Sequence, residues 1–260
     1  MSGQQECAGA ATAPSSCLLV PIFDHGDSIG AVLRSLEPFG LDCIVVDDGS
    51  GPRTRAVLDA LESELDRVEV VHRDRNGGRG AALKTGYRRA AQRGFDYALQ
   101  LDADGQHAAN DVPRFLDAIA RSPGALVLGS PIFDASAPRA RLWGRQLSRA
   151  TVWLATLSFD IVDPLCGFRA IPLAPMLELL DDWPTGDHME FDPEIAIQLH
   201  RRGVPVVDVP TRVVYDPQGL SHFDMWRDNV RMSGMYARAL LGAACGRARR
   251  RPRARPAGSE

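Results

Sequence analysis

Five short apolar runs, each separated from the next by a stretch with helical spacing, constrain this chain more than any other feature. Cys17–Ile22, Cys43–Val46, Val68–His72, Tyr97–Leu101 and Ala125–Leu128 are rich in apolar residues and too short for helices. Most lack the polar alternation of a half-solvated strand, so they read as strands covered on both faces. Between them Ile29–Leu36, Arg53–Leu65, Ala81–Gln92 and Pro113–Ala120 carry helical patterning. Strand and helix in alternation imply βαβ units and a mostly parallel, Rossmann-like sheet flanked by helices on both faces. Ligands of such sheets sit beyond the carboxyl ends of the strands. That is where the acidic and glycine-rich sequences of this chain fall.

The most informative of these ends is Leu99-Gln100-Leu101-Asp102-Ala103-Asp104-Gly105-Gln106-His107. If the strand continues through them, Asp102 and Asp104 point to one side and can share a hard divalent cation. An acidic turn capping the next helix is the alternative. Asp47-Asp48-Gly49-Ser50 follows the second strand, where one acid can accept from a base or ribose or cap the helix behind it. Asn76-Gly77-Gly78-Arg79-Gly80 opens a helix; its glycines serve either phosphate approach or close helix packing. Pro21-Ile22-Phe23-Asp24-His25 leaves the first strand with an aromatic that can stack on a nucleobase.

The second half is less regular. Arg139–Ser158 reads as a long helix with Arg141, Arg145 and Arg149 on one stripe. Asp163–Ile171 reads as a loop and short strand containing Cys166-Gly167-Phe168-Arg169, His188–Arg202 as a helix, Val204–Val209 as a strand, and Tyr215–Ser221 as a loop. The chain divides into a disordered segment 1–16, a folded domain 17–221, an amphipathic helix 222–245 and a disordered tail 246–260. The tail holds six arginines and one glutamate, a net +5 against −3 for the whole chain, so the body is acidic and unsuited to nucleic acid. Five scattered cysteines without metal-ligand spacing read as reduced thiols, and no secretory signal or membrane-spanning run is evident. The expected location is cytoplasmic, with a peripheral association at the inner face of the membrane as a further option.

Taken in order, Val20-Pro21-Ile22-Phe23, Asp47-Asp48-Gly49-Ser50, Asn76-Gly77-Gly78-Arg79-Gly80 with Ala82 and Gly86, Asp102-Ala103-Asp104-Gly105-Gln106-His107 and Cys166-Gly167-Phe168-Arg169 resemble the family 2 glycosyltransferases of GT-A fold. The likeness is greatest to the branch that contains dolichyl-phosphate mannosyltransferases, and it spans roughly Leu18 to Phe223. The resemblance implies a GT-A-like domain that moves a sugar from a UDP- or GDP-sugar to a lipid-linked or membrane-associated acceptor, with Mg²⁺ or Mn²⁺ and inversion at the sugar. It implies that Pro21, Phe23, Asp48, Asp102 and Lys84 bind the nucleotide. Asp102, Asp104 and Gln106 would surround the metal. Arg145, Arg169, Ser221 and His222 would serve the acceptor or its phosphate. His25 departs from the pattern, since relatives commonly have an acid there.

Asp104, Arg169 and Asp192 form the catalytic set that the resemblance implies. Asp192, in Phe191-Asp192-Pro193-Glu194-Ile195, aligns with the base of many inverting members, which favours a hydroxyl acceptor; an acid stabilised at a helix start is the alternative. In Gly219-Leu220-Ser221-His222-Phe223, His222 stands where relatives place a cation. The last helix carries Phe223, Trp226, Val230, Ala237 and Leu241 on one stripe beside Arg227, Arg231 and Arg238, which suits an anionic membrane surface or packing on the domain. Two other functions compete. A nucleotidyltransferase of the same fold class would want a basic, glycine-rich loop after the first strand, which Pro21–Asp27 lacks. A silent binding module would have no need of Asp102, Asp104 and Asp192 together.

Overall fold

A computed structural model describes residues 13–106, 108–132, 139–212 and 226–244, with the side chains of 139–141 left aside. Ser221, His222, the Tyr215–Ser221 loop, the arginine-rich tail and most of the first segment lie outside the described residues. Among the described residues seven strands form one sheet: β1 (Ser16–Ile22), β2 (Cys43–Asp47), β3 (Val68–His72), β4 (Tyr97–Gln100), β5 (Leu126–Ile132), β6 (Arg169–Pro172) and β7 (Val206–Arg212). Their order is β3-β2-β1-β4-β6-β5-β7. All pairings are parallel except those of β6, which runs against both β4 and β5. The carboxyl ends of the other six strands therefore share one edge, and β6 enters the sheet from that edge with Arg169.

Among the described residues eight α-helices flank the sheet: α1 (Gly26–Leu36), α2 (Pro52–Glu64), α3 (Arg79–Gln92), α4 (Val112–Arg121), α5 (Arg139–Thr156), α6 (Leu173–Asp182), α7 (Phe191–Arg201) and α8 (Arg227–Ala244). Alternation along β1 sorts the two cores. Cys17 and Leu19 join Leu83, Tyr87, Met176 and Ile195 on one face, while Leu18, Val20 and Ile22 join Leu33, Leu58 and Phe115 on the other. On the first face α7 is buried almost all round, from Phe191 to Leu199. It is an interior helix, with α5, α6 and α8 packed over it.

The alternation of strand and helix in the first half is as the sequence implies, with ends shifted by a few residues. Two features were not foreseen. The helix α6 starts directly from β6 with Pro175 in its first turn, where a missing N–H breaks no helical bond. The strand β4 stops at Gln100, so Asp102 and Asp104 stand in a turn and not on a strand. Leu101 still donates to the Leu19 carbonyl at 3.0 Å, after which the chain leaves the sheet through Gly105 at φ +71°.

Candidate active site

Strand alternation therefore cannot be what aims the two carboxylates; the turn does it. Ala103 is buried in the core between the two half-exposed aspartates, and its carbonyl accepts from Ser28 Oγ at 2.8 Å. Pinning Ala103 inward leaves Asp102 and Asp104 on the outer side of the turn. The Gln106 N–H closes it by donating to Asp104 Oδ1 at 3.0 Å. Gly167 backs the turn from the loop before β6: a Cβ built there would overlap the Asp102 carboxylate. The glycine of Cys166-Gly167-Phe168-Arg169 is thus the space in which Asp102 sits.

Behind Asp102 lies a buried chain of polar groups in which Asp192 and Arg169 were expected from the sequence, Arg79 was quoted only within its glycine motif, and Gln100 and Tyr87 were given no role. Arg79, the first residue of α3, places Nη1 2.5 Å from Asp102 Oδ1 and Nε 2.8 Å from Asp192 Oδ2. Gln100 Nε2 donates to Asp192 Oδ1 at 3.3 Å, and the Tyr87 hydroxyl donates to Gln100 Oε1 at 2.5 Å. Arg169 approaches Asp192 Oδ1 at 3.7 Å from the far side. Burial pushes the Asp192 carboxyl up, but the Arg169 and Arg79 guanidiniums outweigh it and hold the group below the usual carboxylate range.

This placement bears on two expected roles. Arg169 is 0 % exposed; its guanidinium donates to the carbonyls of Pro164, Cys166 and Asp192. It lies beneath the site as a strut between the Cys166 loop and α7, with no face toward a phosphate. Asp192 is held between two cations, and a carboxylate so stabilised is a weak proton acceptor. Its position suits the orientation of Arg79 better than the work of a base.

The second acidic pair has a different use. Asp47 accepts from Ser50 N at 2.8 Å and lies 2.8 Å from His72 Nδ1, while His72 Nε2 is 3.0 Å from Asp59. Burial raises the Asp47 carboxyl, and the bonds from Ser50 and His72 more than reverse it. Asp48 accepts from the Gly78 N–H at 2.7 Å and the Gly77 N–H at 3.1 Å, and it pairs with Arg73. Burial pushes the Asp48 carboxyl up more than these donors draw it down. The Asp48 carboxylate thus folds the glycine loop and engages N–H groups that would otherwise face a phosphate. Close packing is the glycines' other purpose: a Cβ on Gly78 would overlap His188 and the Asp187 carbonyl, and one on Gly80 would meet Phe191.

The remaining expected residues are spread around this centre. Pro21 is buried within β1 opposite Val46, and Phe23 is half-buried just past the strand. Lys84 donates to the Thr185 carbonyl at 3.0 Å and to Asp187 at 2.9 Å, which ties α3 to the α6–α7 connection. Arg145 pairs with Asp163 at 2.6 Å, and Asp163 accepts from Leu165 N at 2.8 Å, so α5 steadies the loop that leads to Gly167. A depression of about 450 Å³ beside Gly49, Ser50, Arg55 and Asp74 borders the same edge; neither Asp102 nor Asp104 lines it.

No group of three or more His, Cys, Asp or Glu side chains gathers as a metal site among the described residues. Asp102, Asp104 and Gln106 offer two carboxylates and an amide, an all-oxygen set on one turn. It fits a hard cation whose other ligands come from a diphosphate and water. The Gly167 recess that seats Asp102 is consistent with a turn built to present these oxygens.

Residues 17–173 match the family model described as Glycosyl transferase family 2. The polyprenol monophosphomannose synthase of Mycolicibacterium smegmatis is 31 % identical over 222 residues, 82 % of this chain and 82 % of that protein. The undecaprenyl-phosphate mannosyltransferase of Micrococcus luteus is 28 % identical over 206 residues, 75 % of this chain and 82 % of that protein. Among solved structures, glucosyl-3-phosphoglycerate synthase from Mycobacterium tuberculosis superposes with a TM-score of 0.62 at 21 % identity, covering 90 % of this chain and 80 % of that one. The mannosyltransferase PcManGT from Pyrobaculum calidifontis, solved with GDP-Man and Mn²⁺, gives 0.59 at 16 % identity, covering 90 % and 74 %. At such identities the two structures speak for the fold alone, and that fold is GT-A.

Proposed function

The chain belongs to glycosyl transferase family 2 and is a glycosyltransferase; from that premise we propose that it moves a sugar from a UDP- or GDP-sugar to a lipid-linked phosphate, with inversion and with Mg²⁺ or Mn²⁺. The observation that carries this reading is the turn at the carboxyl edge of the sheet, where Asp102 and Asp104 flank a pinned Ala103 and Arg79 stands behind Asp102. Asp102, Asp104 and Gln106 would hold the cation. When bound, it would offset the negative charge that develops on the leaving diphosphate.

The chain's own residues supply the rest. Arg79 and Gly167 fix Asp102, and Asp192, anchored by Arg169 and Gln100, fixes Arg79. Phe23 at the exit of β1 stands where a nucleobase can stack. Asp48 shapes the loop that delivers Arg79, and so acts on the donor site through the backbone. The acceptor follows from the state of Asp192. A phosphate oxygen needs no proton removed before attack, whereas an alcohol does, and Asp192 is placed between two guanidiniums. Two relatives named for lipid-phosphate acceptors point the same way.

The test is a transfer assay with the purified chain, labelled UDP- and GDP-sugars, and two acceptors that differ only in carrying a polyprenyl phosphate or the free polyprenol. Transfer to the phosphate, abolished by EDTA and restored by Mn²⁺ or Mg²⁺, is expected. Transfer to the alcohol alone would overturn the acceptor assignment, and full turnover in EDTA would overturn the metal.

A further inference from the structure

One cation at the carboxyl edge of the sheet is shared between two carboxylates and still has donors left over. Arg79 spends Nε on Asp192 at 2.8 Å and Nη1 on Asp102 at 2.5 Å. Its Nη2 is buried and meets no hydrogen-bond acceptor; among the described residues it is the one terminal guanidinium nitrogen so placed. A buried donor left unmet is costly, and where a native fold keeps one it is commonly reserved for a water, an ion or a ligand. The other cations expected near the turn are committed. Lys84 is held by Thr185 and Asp187, Arg145 by Asp163, and Arg169 by three carbonyls.

Both oxygens of Asp102 are covered in this arrangement. Oδ1 is buried on the side of Arg79, and Oδ2 lies against Gly167, where a Cβ would overlap it. A divalent cation and the Arg79 guanidinium therefore exclude one another at Oδ1. The contact of Nε with Asp192 is a separate matter, because Asp192 is itself anchored by Gln100 and Arg169. With Nε kept there, Nη1 and Nη2 together make the planar fork that matches two phosphate oxygens. A diphosphate also carries more negative charge than the single carboxylate it would replace as a partner.

We propose that Arg79 changes partners when the donor binds: Nε stays on Asp192, while Nη1 and Nη2 take the donor's diphosphate, which releases Asp102 Oδ1 to the cation. This rests on the nucleotide-sugar donor and the cation proposed above. Arg79 then couples the two ligands, and each tightens the other's binding by the same factor.

Calorimetry with UDP and GDP in EDTA, on the full chain and on Asp102→Asn and Asp104→Asn, tests the exchange without a metal. Each substitution removes one carboxylate from the same turn, so each relieves repulsion of the nucleotide to a similar degree. Only Asp102→Asn also releases Arg79, and it leaves the Arg79–Asp192 pair in place. Metal-free nucleotide affinity should therefore rise further in Asp102→Asn than in Asp104→Asn, by about fivefold or more. Adding Arg79→Gln to Asp102→Asn should abolish that excess. In nucleotide-free titrations Arg79→Gln should bind Mn²⁺ about fivefold or more tighter than the wild type, and nucleotide should then tighten Mn²⁺ binding less. Equal nucleotide gains in the two Asn variants, or an excess that survives the loss of Arg79, overturns the exchange. So does Mn²⁺ affinity unchanged or lowered in an Arg79→Gln chain that still unfolds cooperatively in urea, since the arginine would then only support Asp102. Failure of every one of these proteins to bind either nucleotide, with or without Mn²⁺, would remove the proposed donor as well; normal nucleotide binding with equal gains would remove the exchange alone.

Discussion

Replacing Asp192 by Asn distinguishes an anchor from a base. The substitution keeps the side-chain volume and one acceptor oxygen, so no cavity opens, but it removes a charge that faces Arg79 Nε at 2.8 Å and Arg169 Nη1 at 3.7 Å. With an effective dielectric near 20 the two attractions amount to roughly 6 and 4.5 kcal/mol before desolvation. Desolvation of the buried groups offsets much of that, and loss of one partner from such a cluster ordinarily costs about 3–5 kcal/mol. Asp192→Asn should therefore lose about 3 kcal/mol in urea unfolding at neutral pH, a large part of the roughly 5–15 kcal/mol typical of a domain. The difference must depend on pH in one direction. The Asp192 carboxyl is held below its ordinary range in the fold, so its contribution is complete above the unfolded value of about 4 and fades as pH falls through the lower folded value. The gap between wild type and variant should narrow only on the acid side. Sugar transfer, measured where the variant is folded, should fall by less than about a hundredfold, with the shape of the pH–rate profile retained. A base would behave otherwise, with a loss of about 10²–10⁴ and its limb gone from the profile. Unchanged stability combined with such a loss would refute the reasoning.

Gly167→Ala should leave the fold intact yet displace the Asp102 carboxylate, which its methyl would overlap; a Mn²⁺ titration with nucleoside diphosphate should show weakened binding, and wild-type affinity would contradict the recess described above. Tyr87→Phe removes the donor to Gln100 Oε1 and should cost about 1–2 kcal/mol in urea unfolding, since it leaves a buried amide oxygen short of a partner. His72 is drawn down by burial, but its bonds to Asp47 and Asp59 prevail and raise its pKa. Its stabilisation is complete below the ordinary histidine value and is lost as pH rises through the raised one. His72→Gln should accordingly lower the melting temperature more at pH 6 than at pH 9, and equal losses would show that the charge is immaterial.

Sequence periodicity disclosed most of the sheet because the buried strands are continuous apolar runs and the helices between them are amphipathic. It could not disclose that β6 runs against its neighbours: four residues, Arg169–Pro172, carry no mark of direction, which is set by partners up to 75 residues away. The spacing of Asp102 and Asp104 was legible, but its cause was not. The strand ends two residues early, and the pair is aimed by Ser28 on a distant helix. Arg79 was hidden inside a glycine-rich motif whose glycines are accounted for by phosphate approach or by close packing without any part for the arginine. Its role depends on Asp192, 113 positions further on, and on Asp48, which folds the loop from a neighbouring strand. Arg169 was legible as part of a motif. Its burial was not, because nothing local in Cys166-Gly167-Phe168-Arg169 says that the guanidinium turns inward onto carbonyls.

Mn²⁺ affinity in the presence and absence of a nucleoside diphosphate, followed by calorimetry on the wild-type chain and on Asp102→Asn and Asp104→Asn, bears most directly on the turn at the end of β4. Binding that tightens with the nucleotide and is lost in both variants is the expected result. Equal Mn²⁺–nucleotide affinity in all three proteins would mean that these carboxylates hold no cation, and the assignment of the site would fail.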